Sequence, residues 1–186
     1  MRTLKEEIKE IYRQTAEIRE KLFDDELDED KIYELFKEYE QNILFLICNH
    51  YEKRLGINIT QRESVDIDIF FFNKDGKTIK DRIKEIKEDN NFLYRMKILQ
   101  DTELYNCINC ISSSVIKYYK LPSIVVVDVG GCESCVGIGS GEFLEDDIPE
   151  PPFHPGCKCY SDIEYEIMPD LTDEEYVVML EELIDV

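Results

Sequence analysis

Residues 128–160 read DVGGCESCVGIGSGEFLEDDIPEPPFHPGCKCY. Cys132 and Cys135 form a C-x-x-C, and His154, Cys157 and Cys159 come after them in an H-P-G-C-K-C. Four of the seven cysteines and one of the two histidines thus fall within fewer than thirty residues. Glycine and proline are concentrated here as well, so the backbone turns tightly and runs as loops. Such a segment has few large apolar side chains and needs another means of closure. A metal site would supply it, and so would disulfides. Thiolates and a neutral imidazole are the ligands of tetrahedral zinc, and the first cysteine pair has the knuckle spacing of zinc ribbons. In the second pair Cys157 and Cys159 are only one residue apart. Cys132, Cys135, His154, Cys157 and Cys159 are therefore five candidates for four positions. Which four bind, and metal against disulfide, stay open at this level. An intracellular chain keeps its thiols reduced, which favours zinc.

The composition narrows the function classes. The 186 residues carry a formal net charge of −20 and are 43% hydrophobic. That apolar content supports a core in one domain, or in one domain with a helical extension. The charge repels nucleic-acid phosphate over most orientations and argues against DNA or an anionic lipid surface as partner. The apolar run near Ile43–Cys48 is far too short to span a bilayer. The opening MRTLKEEIKE lacks the apolar region of a signal peptide. The expectation is a soluble protein, in the cytoplasm of a bacterial host or in a virion. The sequence carries no sign of oligomeric state.

The fold expected is α+β. Leu4, Ile8, Ile11, Thr15, Ile18 and Leu22 alternate steps of four and three, so 3–23 reads as a heptad helix. DDELDED comes next as an acidic connector, with Asp30 as a cap for a second helix over 31–55. Gly56 can end that helix. Residues 1–60 then form an N-terminal helical hairpin whose seam is open to a third helix, and 61–186 form the α+β domain. VDIDIFFF (65–72) alternates as a half-buried strand whose Asp66 and Asp68 face solvent. Thr78 and Asp81 make a capping box for a helix to about Glu88. A long central helix runs from Phe92 to Tyr119, and LPSIVVVDV (121–129) is a short strand leading to the first cysteine pair. SGEFLEDD returns as a strand or loop, and IEYEIMP (163–169) could add a last strand. Thr172 and Glu175 cap an acidic C-terminal helix.

Three further features stand out. His50 lies on the apolar seam and reads as a core or boundary histidine with a hydrogen-bonded ring. Glu103 falls on or beside the buried stripe of the long helix, so it should have a fixed partner. Cys107 and Cys110 form a second C-x-x-C, which helical spacing places on one side. They read first as small buried apolar residues, and as a second metal pair otherwise.

The cysteine segment resembles the C-terminal signature of the phage head-morphogenesis family, the minor head proteins of the Mu F-like type. That family usually reads P-P-x-H-P-N-C-R-C where this chain has PPFHPGCKC, with Gly156 for Asn and Lys158 for Arg. GKTIKDRI (76–83) resembles the family's G-K-T-x-x-E-R-I. ILQDTELYNCIN (98–109) resembles its helix with a Thr-Glu pair followed by Asn. The likeness covers residues 73–165. Where the family often has a Trp before the first cysteine pair, this chain has VVVDVGG and no Trp at all.

The resemblance implies a role in head assembly, with a portal or capsid protein as partner and no reaction catalysed. A host-encoded, zinc-stabilised interaction protein is the alternative. A toxin-type hydrolase or nuclease is a third reading. Against it, His154, Cys157 and Cys159 sit in one tight loop, where the spacing suits ligation better than a nucleophile with its base. Glu133 and Glu103 are the carboxylates available to a catalytic zinc. G-x-S-x-G, H-E-x-x-H and P-loop motifs are absent from the sequence.

Overall fold

The computed structural model describes residues 3–56, 77–119, 123–126, 135, 141–143 and 155–163. Its helices are α1 (Leu4–Gln14), α2 (Ala16–Lys21), α3 (Glu29–Leu55), α4 (Ile79–Lys87) and α5 (Phe92–Tyr119). Their ends follow from side-chain chemistry. Thr3 and Thr78 each close a capping box, with Glu6 and Asp81 respectively. The cap of α3 is Asp28, whose Oδ1 accepts the N–H of Lys31 at 2.7 Å. Asp30, the expected cap, instead lies within the first turn, where its charge favours the helix N-terminus. Gly56 ends α3 in the left-handed region at φ 67°, which glycine enters without steric cost. The helix expected over 3–23 is interrupted at Thr15. Its buried hydroxyl donates to the Ile11 carbonyl at 2.8 Å, a back-bond that locally distorts a helix.

Helix α3 is the centre of the core. Its Tyr39, Ile43, Ile47 and Tyr51 are fully buried and share one apolar cluster with Leu4, Ile8 and Ile11 of α1 and with Met96, Leu104, Ile108 and Ile116 of α5. Ile79, Ile83 and Ile86 of α4 complete it. The third helix on the heptad seam is thus α5 of the same chain. Polar ties reinforce the contact. Tyr39 donates to the Gln100 carbonyl at 3.2 Å, and the Tyr51 hydroxyl meets Ser112 Oγ at 2.8 Å. Arg54 Nη1 donates to Asp162 Oδ1 at 2.6 Å, an ion pair with side chains only 3% and 13% exposed. The helices of the 1–60 segment therefore share a core with α4 and α5.

The β part is a small antiparallel sheet of β1 (Ser123–Val126), β2 (Gly141–Phe143) and β3 (Tyr160–Ile163), in the order β2-β1-β3. Val125 lies opposite Gly141 on one side and Ser161 on the other, and Val126 lies opposite Tyr160. Among the described residues the architecture is helical with one small sheet, which is α+β in the coarse sense. The last strand begins at Tyr160, directly after the second cysteine pair and earlier than expected. The strand expected over 65–72, residues 164–169 of the expected last strand and the C-terminal helix from Thr172 lie outside the described residues. Among the described residues no helix is long and apolar enough to cross a membrane.

Candidate metal centre

Lys158 is exposed while Cys157 and Cys159 on either side of it are buried. The one-residue spacing is therefore the alternation of an extended chain, which puts both sulfurs on one side. Gly156 begins this stretch in the left-handed region at φ 75°. Tyr160 pairs with Val126, so the start of β3 lies beside the end of β1, from which the chain runs on toward the first cysteine pair. The result is that the sulfurs of Cys135, Cys157 and Cys159 converge within 4.8 Å of one another, all three buried. The Cys135 and Cys157 sulfurs are 3.6 Å apart, well beyond the ~2.05 Å of a disulfide.

The donor set and spacing fit a thiophilic ion. Tetrahedral zinc with Zn–S bonds of about 2.3 Å holds its sulfurs about 3.7–3.8 Å apart, close to the separation found. Of the five sequence candidates, Cys135, Cys157 and Cys159 are brought together. Cys132 and His154 lie outside the described residues and remain the candidates for a fourth ligand. Cys107 and Cys110 are not members of the cluster. Cys107 is 2% exposed, and burial pushes its thiol well above the ordinary range. It packs as a small apolar residue in the core that α3 and α5 share, as expected, whereas Cys110 is only half-buried.

Two polar residues on the buried face of α5 hold the cysteine loop. Thr102 Oγ1 accepts the N–H of Gly156 at 2.7 Å while donating to the Ile98 carbonyl. Asn109 is 2% exposed. Its Nδ2 donates to the Cys159 carbonyl at 2.9 Å, and its Oδ1 accepts the N–H of Ser161 at 2.8 Å. Thr102 and Asn109 are seven residues apart, two helical turns, and so lie on one face. Between them they fix the backbone before Cys157 and the backbone on both sides of Tyr160. Outer contacts of this kind orient metal ligands. The signal was present in the sequence as polar residues interrupting an apolar stripe, but nothing in the spacing says what they bind.

Glu103 is 3% exposed, and its carboxylate accepts a long hydrogen bond of 3.4 Å from Asn106 Nδ2. Burial raises its pKa to about 8, against the opposing pull of Asn106 and the positive field of Arg82. The expected fixed partner is thus a neutral amide at the edge of hydrogen-bonding range. His50 is 7% exposed, with Nδ1 3.7 Å from Glu7 Oε2. Burial first, and Arg54 second, lower its pKa to about 4, so the ring is neutral near pH 7. Its Nε2 has no hydrogen-bond partner among the described residues, so the expectation of a bonded ring fails at that nitrogen. Glu133, a candidate base in the hydrolase reading, lies outside the described residues.

Comparison of the chain with protein-family models, with curated proteins and with solved structures finds no match.

Proposed function

We propose that this chain is a phage or prophage head-assembly protein similar to the Mu F-like minor head proteins. In this reading it works by binding a portal or capsid subunit and catalyses no reaction. Its C-terminal module is closed by a structural zinc ion on Cys135, Cys157 and Cys159, with Cys132 or His154 as fourth ligand. One observation carries the reading: the sequence segments that bear the resemblance are knit into a single unit. Helix α4, from GKTIKDRI, packs its Ile79, Ile83 and Ile86 into the core that α5 helps to form. Helix α5, from ILQDTELYNCIN, uses Thr102 and Asn109 to hold the loop of PPFHPGCKC. The left-handed conformation of Gly156 adds to this, because Asn, the family's usual residue there, is the other residue that tolerates it.

The zinc role follows from burial. Three buried thiols are a thiophilic donor set, and a fourth ligand from Cys132 or His154 would close the site, as in structural zinc centres. The charge of −20 favours a protein partner over nucleic acid. The test has two arms. Protein purified without added metal should hold about one zinc per chain, as structural sites do, and Cys157→Ser should lose it. Co-expression with the portal and major capsid proteins of the same genome should yield a complex that survives size-exclusion chromatography. Metal-free protein would overturn the zinc assignment. Failure to bind either subunit would overturn the assembly role.

A further inference from the structure

Between α4 and α5, beside the cysteine loop, lies a cavity of about 260 Å³. It is smaller than the roughly 300–1,000 Å³ of sites for drug-sized ligands, so it suits a group of a few heavy atoms. Ile86, Ile98 and Leu99 supply apolar wall, Pro155 of the cysteine loop closes one side, and Glu103 lines it from α5. Glu103 is the unusual member. A buried carboxylate is costly unless it is paired with a cation or given several hydrogen bonds. A carboxylate can accept about four, and among the described residues this one has the single 3.4 Å contact from Asn106.

The other charged groups of the lining are already engaged. Arg95 is held by Asp89 at 2.6 Å, and Glu85 by Lys77 at 2.6 Å. Arg82 pulls the carboxyl's pKa down without offsetting burial. Among the described residues no cation forms an ion pair with Glu103. The group that would complete the cavity is such a cation, with a short apolar stem to lie along Ile86, Ile98 and Leu99.

We propose that this cavity is a binding site for a primary alkylammonium group, with the Glu103 carboxylate as its counter-ion and the isoleucine and leucine walls around its methylene stem. The shared chemistry is that of a lysine side chain of a partner protein and of a free aliphatic amine. The site is independent of the assembly reading, and its test needs no portal or capsid subunit. Binding draws the proton off Glu103, so each bound amine releases close to one proton at pH 7. Affinity should fall about tenfold for each pH unit below about 8, where the carboxyl holds its proton. The titratable and charged groups near it are Arg82 and Glu85 on α4, Arg95 and Cys107 on α5 and Tyr39 on α3.

The experiment is an amide-shift NMR titration of the full chain with n-butylammonium, Nα-acetyl-lysine methylamide and butyrate. Both amines should give saturable shifts at residues 82–103, and butyrate should not. Tighter binding of the lysine derivative assigns the site to a partner protein, and tighter binding of butylammonium to a free amine. Glu103→Gln should weaken amine binding more than tenfold with the Cys135–Cys157–Cys159 metal content unchanged. Calorimetry of the wild-type chain in two buffers of different ionisation enthalpy reads the released proton even if that variant fails to fold. Saturation by butyrate alone, equal amine binding by Glu103→Gln, or no proton release would overturn the proposal.

Discussion

Replacing Asn109 by Leu keeps the side chain's bulk and removes both of its hydrogen bonds to the cysteine loop. Two backbone groups then each lose the bond that Asn109 makes: the Cys159 carbonyl, bonded at 2.9 Å, and the Ser161 N–H, bonded at 2.8 Å. Asn109 is 2% exposed, so water reaches neither group without a rearrangement. A buried group left unsatisfied costs about 1–3 kcal/mol, so the Ser161 N–H sets a loss of at least roughly 1–3 kcal/mol, to which the lost Cys159 bond adds. A domain of ordinary stability has about 5–15 kcal/mol in total. The loop carries Cys157 and Cys159, so part of that loss should surface as weaker metal binding. Outer contacts of this kind are worth about 10–100-fold in affinity. The assay is urea unfolding of the wild type and of Asn109→Leu, each with zinc and with chelator. A Co(II) titration read at the thiolate charge-transfer band accompanies it. The variant should unfold at lower urea and bind Co(II) at least tenfold more weakly, with the band shape retained. Asn109→Asp keeps one acceptor for Ser161 and should fall short of full recovery. If Asn109→Leu matched the wild type in both midpoint and Co(II) affinity, the coupling of α5 to the cysteine loop would be refuted.

Burial holds His50 near a pKa of about 4 in the folded chain, whereas an exposed ring titrates at 6.5. The unfolded chain therefore binds the extra proton first. Stability from this residue is fully present above pH 6.5 and is lost as the pH falls toward 4, by about 3 kcal/mol at about 1.4 kcal/mol per pH unit. His50→Gln should flatten that acid limb in urea midpoints measured across the window; an unchanged slope would refute it. Glu103 acts with the opposite sign: its folded pKa is raised to about 8, so its contribution declines as the pH climbs from 4.5 to 8. Deleting residues 1–58 strips Tyr39, Ile43, Ile47 and Tyr51 from α5, and circular dichroism should show no cooperative melt in the remainder. A sharp transition there would mean that the shared core is dispensable. The acidic surface should give no mobility shift of duplex or single-stranded DNA at about 150 mM salt, where weak surface attraction is largely screened; micromolar binding would contradict it.

The ends of the helices were legible in the sequence because they depend on local chemistry. Thr78 with Asp81 spells a capping box, Gly56 is a left-handed stop, and the heptad steps through Ile32, Phe36, Tyr39 and Ile43 mark a buried seam, all without reference to distant residues. Asp28 and Asp30 show the limit. Both are competent caps, and which residue leaves the helical region is settled by how the acidic connector packs. The cysteines were legible as a cluster, since their residue types and closeness in sequence suffice for that. That Cys135 meets Cys157 and Cys159 depends on β1 and β3 lying side by side, a pairing between segments more than thirty residues apart. The partner of the heptad seam is also non-local: the apolar stripe of α3 would accept any helix of matching shape, and only packing selects α5. The roles of Thr102, Glu103 and Asn109 were hidden for the same reason. A polar residue on a buried helical face announces that something must satisfy it, but the group that does so lies about fifty residues away along the chain for Thr102 and Asn109. For Glu103 the fold leaves a cavity where that group would be. Local propensity fixes what each segment becomes, whereas burial and long-range hydrogen bonding fix which segments meet.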